Sequence, residues 1–413
     1  MELRPILSTL LRHKTAAALI VLEIALSCAI VCNALFLIGV RLDRMHRPSG
    51  LAENELVVIS VAGMATGEDK TAGAQTRADL AALRALPGVK AVTTANQITF
   101  GNSSWNSGVR LQKDQQVSNL SASIYMGGED LIDTLGVKLV EGRKFEPGEF
   151  LDWEVLNAPN SEGNIPSAII SKHMADELFP GQSAVGKVFY SWGNEPTRVV
   201  GVVERLVRVR DSSEEYANYE TSMIFPVRMP YDSGRFIIRV DDPSRRDEVL
   251  KAATKILREG TNNRIVIEKD SKTLEEMRHK FYRQDKSMAW LLVAVCVALL
   301  VVTALGIVGL ASFWVQQRTK QIGVRRALGA TRGQILRYFQ TENFLLATLG
   351  IVIGMLLAYA INQMLMSKYE LPRLPLFYLP VGAIALWLLG QIAVFWPARR
   401  AASVPPAIAT RSV

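Results

Sequence analysis

QRTKQIGVRRALGATRGQILRYFQTENFLLATLGIVIG, residues Gln317 to Gly354, begins where one long apolar run stops and ends inside the next. Its first part carries Arg318, Lys320, Arg325, Arg326, Arg332 and Arg337 with no acidic residue. A short basic loop between two spanning helices marks the cytoplasmic face, because Lys and Arg are retained on that side. Within the loop, Ile322 to Leu328 has a helical pattern, Gly329 and Ala330 break it, and Thr331 can cap a new helix. A short helix lying at the inner membrane face is a handle for a cytosolic partner, and the stretch reads as a lever.

The flanking runs extend the reading outward. Residues 287–315 and 344–366 are apolar and long enough to cross a bilayer, for which about 20 residues suffice. Residues 316–343 form the loop and its helix. A further span covers residues 376–396, after a short proline-rich turn at residues 367–375. Near the N-terminus, a basic amphipathic lead-in of residues 1–15 precedes a span over residues 16–41. That apolar run is too long for a signal peptide and no A-x-A-like site follows it, so it reads as a retained anchor. Counting crossings from the basic loop puts both termini in the cytoplasm, and Arg399 and Arg400 in the tail, residues 397–413, agree.

Composition fits this plan. The 413 residues are 49% hydrophobic and 21% charged, with a formal net charge of +8. A mean hydropathy of +0.16 suits a few spans plus one sizeable water-exposed domain. The basic residues gather at membrane edges, at Arg4, Arg12, Lys14, the loop, Arg399, Arg400 and Arg411, which orients a membrane protein rather than binding nucleic acid. Cys28, Cys32 and Cys296 all fall inside apolar runs, which argues against a disulfide framework or a zinc site. His13, His46, His173 and His279 are scattered, and no H-E-x-x-H, G-x-S-x-G or paired metal-ligand spacing occurs. The expectation is a chain with no catalytic residue, no metal and no cofactor of its own.

Residues 42–286 are polar and strand-rich. Alternating runs at Glu55–Val61, Ser167–Ile170, Arg198–Val203, Phe236–Val240 and Arg264–Glu268 predict strands. Helical patterns at Thr76–Ala85, His173–Leu178 and Asp247–Glu259 lie between them, giving an α+β domain inserted between the first and second of four transmembrane helices. Gly63–Gly73, Val155–Pro166 and Asp211–Thr221 read as exposed loops. The charged stretch Ser271–Lys286 reads as one stalk helix continuing into the second span. Gly181–Val188, GQSAVGKV, imitates a phosphate-binding loop but lacks the hydroxyl after Lys187 that would hold magnesium, and reads as an ordinary turn.

Taken in order, several of these stretches resemble one family. QIGVRRALGATRGQIL, the span carrying Gly350 and Gly354, and the tail PARRAASVPPAIATRSV are similar to the FtsX-type permease domain of ABC transporters. LPGVKAVT, DLIDTLGVKLVEGRKFEPGEF, AIISKHMADELFPGQSAVGKVF and RVVGVVERL resemble successive motifs of the MacB-type periplasmic core domain. MacB carries an ATPase ahead of its first span, and here that place holds only the lead-in. The resemblance therefore implies a permease subunit lacking a fused ATPase, working as a dimer, of two copies or two related permeases, with a separate cytoplasmic ABC ATPase that binds ATP and Mg. It implies an inner-membrane location, a periplasmic outer domain, and export or extraction of a drug, peptide or lipid, with a periplasmic adaptor and outer-membrane channel as further partners. A rival reading is a mechanotransmission subunit that transports nothing and regulates a periplasmic hydrolase or a peptide-sensing kinase.

On that reading Ile322, Val324, Ala327 and Leu328 would insert into a groove of the ATPase. Arg325, Arg326 and Arg332 would pair with its acids or with membrane lipid phosphates, and Gly329 and Ala330 would end the helix. The bland alternative is a membrane-orienting loop that docks nothing. Glu23 and Asn33 lie inside the first span, where a polar group must face the bundle; structural hydrogen bonding is the first reading for both, a role in conformational relay is the alternative, and no second acid lies within the spans to make a proton relay. Gly306 and Gly309, and Gly350 and Gly354, present small faces at helical spacing for close packing within the subunit or across the dimer.

Overall fold

The computed structural model describes residues 14–64, 71–158, 163–210, 218–232, 234–369 and 373–403. Most of the lead-in, the tail beyond residue 403 and parts of the three expected loops lie outside the described residues, and Arg4, Arg12, His13 and Arg411 with them. The chain divides into a helical unit, made of residues up to His46 and from Gln284 onward, and a second unit, Arg47–Arg283.

Helix α1 (Lys14–His46) enters the helical unit. The second unit is built on one mixed sheet of β1 (Leu56–Gly63), β2 (Val89–Ala95), β3 (Asn106–Val109), β4 (Leu120–Gly127), β5 (Leu139–Gly142), β6 (Leu151–Asp152), β7 (Ser167–Ser171), β8 (Val188–Phe189), β9 (Thr197–Val203), β10 (Ser222–Arg228), β11 (Arg235–Val240), β12 (Arg264–Val266) and β13 (Lys272–Thr273). The main order is β12-β1-β11-β2-β4-β10-β7-β9-β5. The longer helices of this unit are α2 (Ala72–Arg84), α3 (Lys172–Leu178), α4 (Arg246–Glu259) and α5 (Leu274–Phe281).

The sheet is two lobes joined by a narrow crossing. In the first, β1, β2 and β11 bury Val57, Ile59, Val92, Phe236 and Ile238 with Leu83 of α2 and Val249, Ala253 and Leu257 of α4. In the second, β4, β7, β9 and β10 bury Ile124, Ile170, Val202 and Phe225 with Met174 and Leu178 of α3. Between them β2 and β4 pair at a single position, Ala95 opposite Gly127. Beyond it, side chains replace the backbone ladder. The Asn96 amide donates to Ile124 O at 2.9 Å and accepts from Met126 N at 2.8 Å. Gln97 donates to Ile124 O at 2.7 Å and accepts from Trp105 N at 2.6 Å. Both residues are buried, so these bonds remove a desolvation penalty that the interrupted sheet would otherwise leave.

One buried ion pair fixes α2 to the edge of the first lobe. Arg264 of β12 donates through both terminal nitrogens to the Asp79 carboxylate, the second bond measuring 3.0 Å, and its guanidinium lies 5.2 Å from the Tyr231 ring centre. Their side chains are 0% and 4% exposed. Asp79→Asn leaves Arg264 charged in a dry site, an expected cost of about 3–5 kcal/mol. Amide hydrogen exchange of α2 and α4 in the full chain checks this; protection equal to the wild type would disprove it.

The expected stalk is corrected by the structure. Ser271–Lys286 is not one helix: β13 comes first, and α5 starts at a reciprocal cap in which Glu276 N donates to Thr273 Oγ1 and Thr273 N donates to Glu276. The chain leaves helical geometry at Tyr282 (φ −87°, ψ 7°) before a new helix begins at Arg283. Tyr282 packs edge-on against Phe281 at 4.9 Å and Phe100 at 5.8 Å. Charge periodicity cannot report such an aromatic anchor.

The helical unit continues with α6 (Arg283–Gln317), the short α7 (Thr319–Ala327), α8 (Arg332–Tyr369) and α9 (Tyr378–Ala402). The helices α1, α6, α8 and α9 are long and apolar enough to cross a membrane. Arg41 and Arg44 of α1 hold Asp285 of α6 at 2.6 and 3.3 Å. Inside the unit, Ile20, Ile24 and Cys28 of α1 pack with Ile307 of α6, Ala347 and Ile351 of α8 and Ala383 and Leu386 of α9. The three cysteines are free and buried.

Candidate functional site

Helix α7 ends as its sequence dictates. Gly329 adopts φ +98°, which an L side chain resists, Gly329 N donates to Arg326 O at 3.2 Å, and Ala330 N donates to Arg325 O at 3.0 Å. This paired closure is the Schellman stop. Thr331 then caps α8: Gln334 N donates to its hydroxyl at 3.3 Å, and Thr331 N donates to the Gln334 side chain at 2.9 Å. Two helices are thus punctuated within three residues, and α7 is held as a distinct short rod.

Three contacts fasten that rod to the unit. Ile322 is buried with Ile335, Phe339 and Trp314. Arg326 Nη1 donates to Ala402 O at 2.8 Å at the end of α9. Arg325 lies 5.0 Å over the Tyr338 ring. Of the apolar residues expected to meet a partner, Ile322 is therefore an inward anchor, and its burial overturns that expectation. Val324 is 50% and Leu328 82% exposed, with Ala327 also exposed between them. Arg332 is exposed at the start of α8. The free face of α7 is thus Val324, Ala327 and Leu328, rimmed by Arg325.

A group that the sequence did not flag sits at the root of the rod. Arg318, just ahead of α7, donates from Nη1 to both carboxylate oxygens of Glu342 at 3.0 and 2.8 Å. Their side chains are 8% and 2% exposed. Arg318 Nη2, Trp314 Nε1 and Asn343 Nδ2 are buried beside them with no hydrogen-bond partner among the described residues. Glu342 is thus an acid buried in α8 at the root of α7. The signal available was the pair itself, a basic residue ending one apolar helix and an acid beginning the next.

Glu23 rests against α6, and a Cβ on Gly306 would fall 2.5 Å from its Oε1, so the glycine makes the room that the carboxyl occupies. One turn further along α1, the Ser27 hydroxyl meets Thr303 Oγ1 at 2.7 Å. Asn33 donates to Ala358 O of α8 at 3.0 Å and to Ala29 O of its own helix at 3.0 Å, which is a structural tie. Gly350 and Gly354 let α8 approach α1: a Cβ on Gly354 would lie 2.5 Å from Cys28 Cβ and 2.7 Å from Ala25 O. Gly354→Val forces the two helices apart at about 1–3 kcal/mol, an expected fall of several degrees in the unfolding midpoint of the detergent-solubilised chain. Gly309 faces open space, and Gly309→Ala supplies the neutral control.

The phosphate-loop imitation is an ordinary turn. Lys187 Nζ donates to the Gln182 side chain at 2.9 Å, and Gly186 N to Val199 O at 2.8 Å. No cluster of metal-ligating side chains occurs among the described residues.

Comparison with known proteins finds two family matches along the chain. Residues 293–406 match the FtsX-like permease C-terminal family, and residues 17–256 match the MacB-like periplasmic core domain. The macrolide export ATP-binding/permease protein MacB of Chromobacterium violaceum is 28% identical over 98% of the chain and 62% of its own length. That of Shewanella sp. is 25% identical over 95% of the chain and 58% of its own length. The chain thus spans about three-fifths of the curated relatives it matches. The periplasmic region of MacB from Actinobacillus actinomycetemcomitans aligns with 57% of the chain and 97% of its own, at 15% identity and a TM-score of 0.33. With four apolar helices and a mixed sheet domain inserted after the first, the chain belongs to the MacB-like, FtsX-like family of ABC transporter permeases.

Proposed function

We propose that this chain transmits ATP-driven movement from a separate cytoplasmic ATPase to its periplasmic domain, working as a dimer of permeases. The observation that carries the reading is α7. Its apolar face of Val324, Ala327 and Leu328 is exposed, while Ile322, Arg326 and the Arg318–Glu342 pair anchor its other side. A surface that is free on one side and braced on the other converts a push by a partner into displacement of α6 and α8. An amphipathic helix inserted in a groove is an established recognition mode. The relatives' printed role, macrolide export, points to outward movement or extraction of an apolar or amphiphilic cargo, with an adaptor and outer-membrane channel as further partners. ATP and Mg belong to the partner, and both termini lie on its side of the membrane. Export from the inner membrane is favoured over the regulatory reading by the export proteins that align along nearly the whole chain.

Affinity purification of the full chain from native membranes tests this directly. An ABC ATPase should co-purify with the wild type and be lost when Val324 and Leu328 are changed. Its absence from wild-type preparations in mild detergent would refute the proposal.

A further inference from the structure

The periplasmic domain contains a cationic pocket that its permease role does not account for. A cavity of about 200 Å³ is lined by Arg235, Lys272 and Lys280 with Arg283 at its edge, against one carboxylate, Asp270. Arg235 opens β11 beside Ser60 of β1, Lys272 sits in β13, and Lys280 lies on the last turn of α5. Three separate elements therefore aim positive charge into one space.

That charge is incompletely answered. Arg235 Nη1 is buried with no hydrogen-bond partner among the described residues. Burial pulls the Arg235 guanidinium below its usual range, with Asp270 acting against that shift. Asp270 stands 3.8 Å from Lys280, a long contact for an ion pair. A buried guanidinium nitrogen without an acceptor carries an unrepaid desolvation cost, which an arriving anion would relieve.

Apolar side chains, Phe100, Met277 and Phe281, share the lining with Ser60 and Asn102, and the two phenylalanine rings pack at 5.5 Å. Phe100 has φ +66°, the single non-glycine residue with positive φ among the described residues. A bulky side chain in that region is strained, and such strain persists where the surroundings over-determine it, commonly at ligand sites. A pocket part cationic and part apolar matches a ligand with a charged head joined to a greasy body. In the chain, Lys280 and Arg283 stand just before the apolar run that starts at Met288.

From these features we infer that the pocket of Arg235, Lys272 and Lys280 binds the phosphate of an anionic amphiphile, a phospholipid head group being the source that its apolar side chains fit. Guanidinium and ammonium groups from several directions suit a tetrahedral oxyanion better than a planar carboxylate. Inorganic phosphate shares the head chemistry and lacks the body.

The full chain in detergent micelles, titrated with dioleoyl phosphatidylglycerol, dioleoylglycerol or inorganic phosphate and followed by native mass spectrometry and calorimetry, separates these sources. Phosphatidylglycerol should bind at least tenfold more weakly to Arg235→Gln/Lys280→Gln than to the wild type, and Arg235→Lys should restore part of the loss. Dioleoylglycerol should show no such difference. Lys272→Gln/Lys280→Gln, both on the surface rim, gives the same reading if the Arg235 variants fail to fold. Binding of inorganic phosphate with the same variant dependence would retain the site and assign it to the free anion. Wild-type binding that no variant weakens, or equal binding of dioleoylglycerol and phosphatidylglycerol, overturns the inference.

Discussion

Glu342→Ala lowers the unfolding midpoint of the detergent-solubilised chain more than any exposed charge change does, by an amount equivalent to about 3–5 kcal/mol. The reason is geometric. Arg318 is held on both carboxylate oxygens of Glu342 in a site where both side chains are buried, so removing the acid strands a permanent cation. Arg318 Nη2 and two further donors, Trp314 Nε1 and Asn343 Nδ2, already lack partners among the described residues. The double change Arg318→Met/Glu342→Leu removes both charges and should recover most of the loss, because apolar packing commonly replaces a buried pair at little cost. Thermal unfolding of the three variants decides it; a double variant as unstable as Glu342→Ala would show that packing, not stranded charge, is what the site loses.

The second large effect concerns the ATPase. Leu328→Asp/Val324→Asp puts two carboxylates on the free face of α7 while leaving Ile322, Arg326 and the Gly329 stop untouched. Fully burying a Val or Leu side chain contributes about 1.5–3 kcal/mol each, so the co-purified ATPase should fall at least thirtyfold. The thermal midpoint of the permease itself should stay within the scatter of surface changes, since both residues are half or more exposed. Ile322→Ala is the informative contrast: it should destabilise the permease by opening a void beside Ile335 and Phe339, at about 2–5 kcal/mol. Loss of ATPase binding in both sets without loss of stability in the second would contradict the division of α7 into a docking face and an anchored face.

Much of this was legible in the chain because hydropathy and charge are strong signals over long windows. The spans and the short helix closed by Gly329 follow from composition and glycine chemistry. The strands β1, β7, β9 and β11 stand out through their β-branched runs. By contrast, β2, β4 and β10 were not anticipated. Their sequences, VKAVTTA, LSASIYMG and SMIFPVR, are largely buried and mix hydroxyl and apolar residues without a period of two. A strand covered on both faces loses the alternation that sequence reading depends on. The Arg318–Glu342 pair escaped for a different reason: each partner looks like an ordinary residue at a membrane edge, and only the fold brings them together. Phe100 is the extreme case, since nothing in its composition announces a left-handed backbone beyond the glycine that follows it.

The single Ala95–Gly127 pairing between β2 and β4 has a mechanical meaning. Along each lobe, force is borne by many ladder bonds in parallel, so the lobes resist shear. Across the joint the ladder narrows to one backbone pairing, and the rest of the load passes through side chains: the amides of Asn96 and Gln97, the Thr94 hydroxyl on Met229 O and Arg239 on Asp133 O. An open cleft of about 400 Å³, lined by Thr94, Gly128 and Met229 beside that joint, leaves room for the lobes to move. The joint is therefore where the sheet has the fewest ladder bonds to resist bending, and the place where a load on the domain is expected to concentrate.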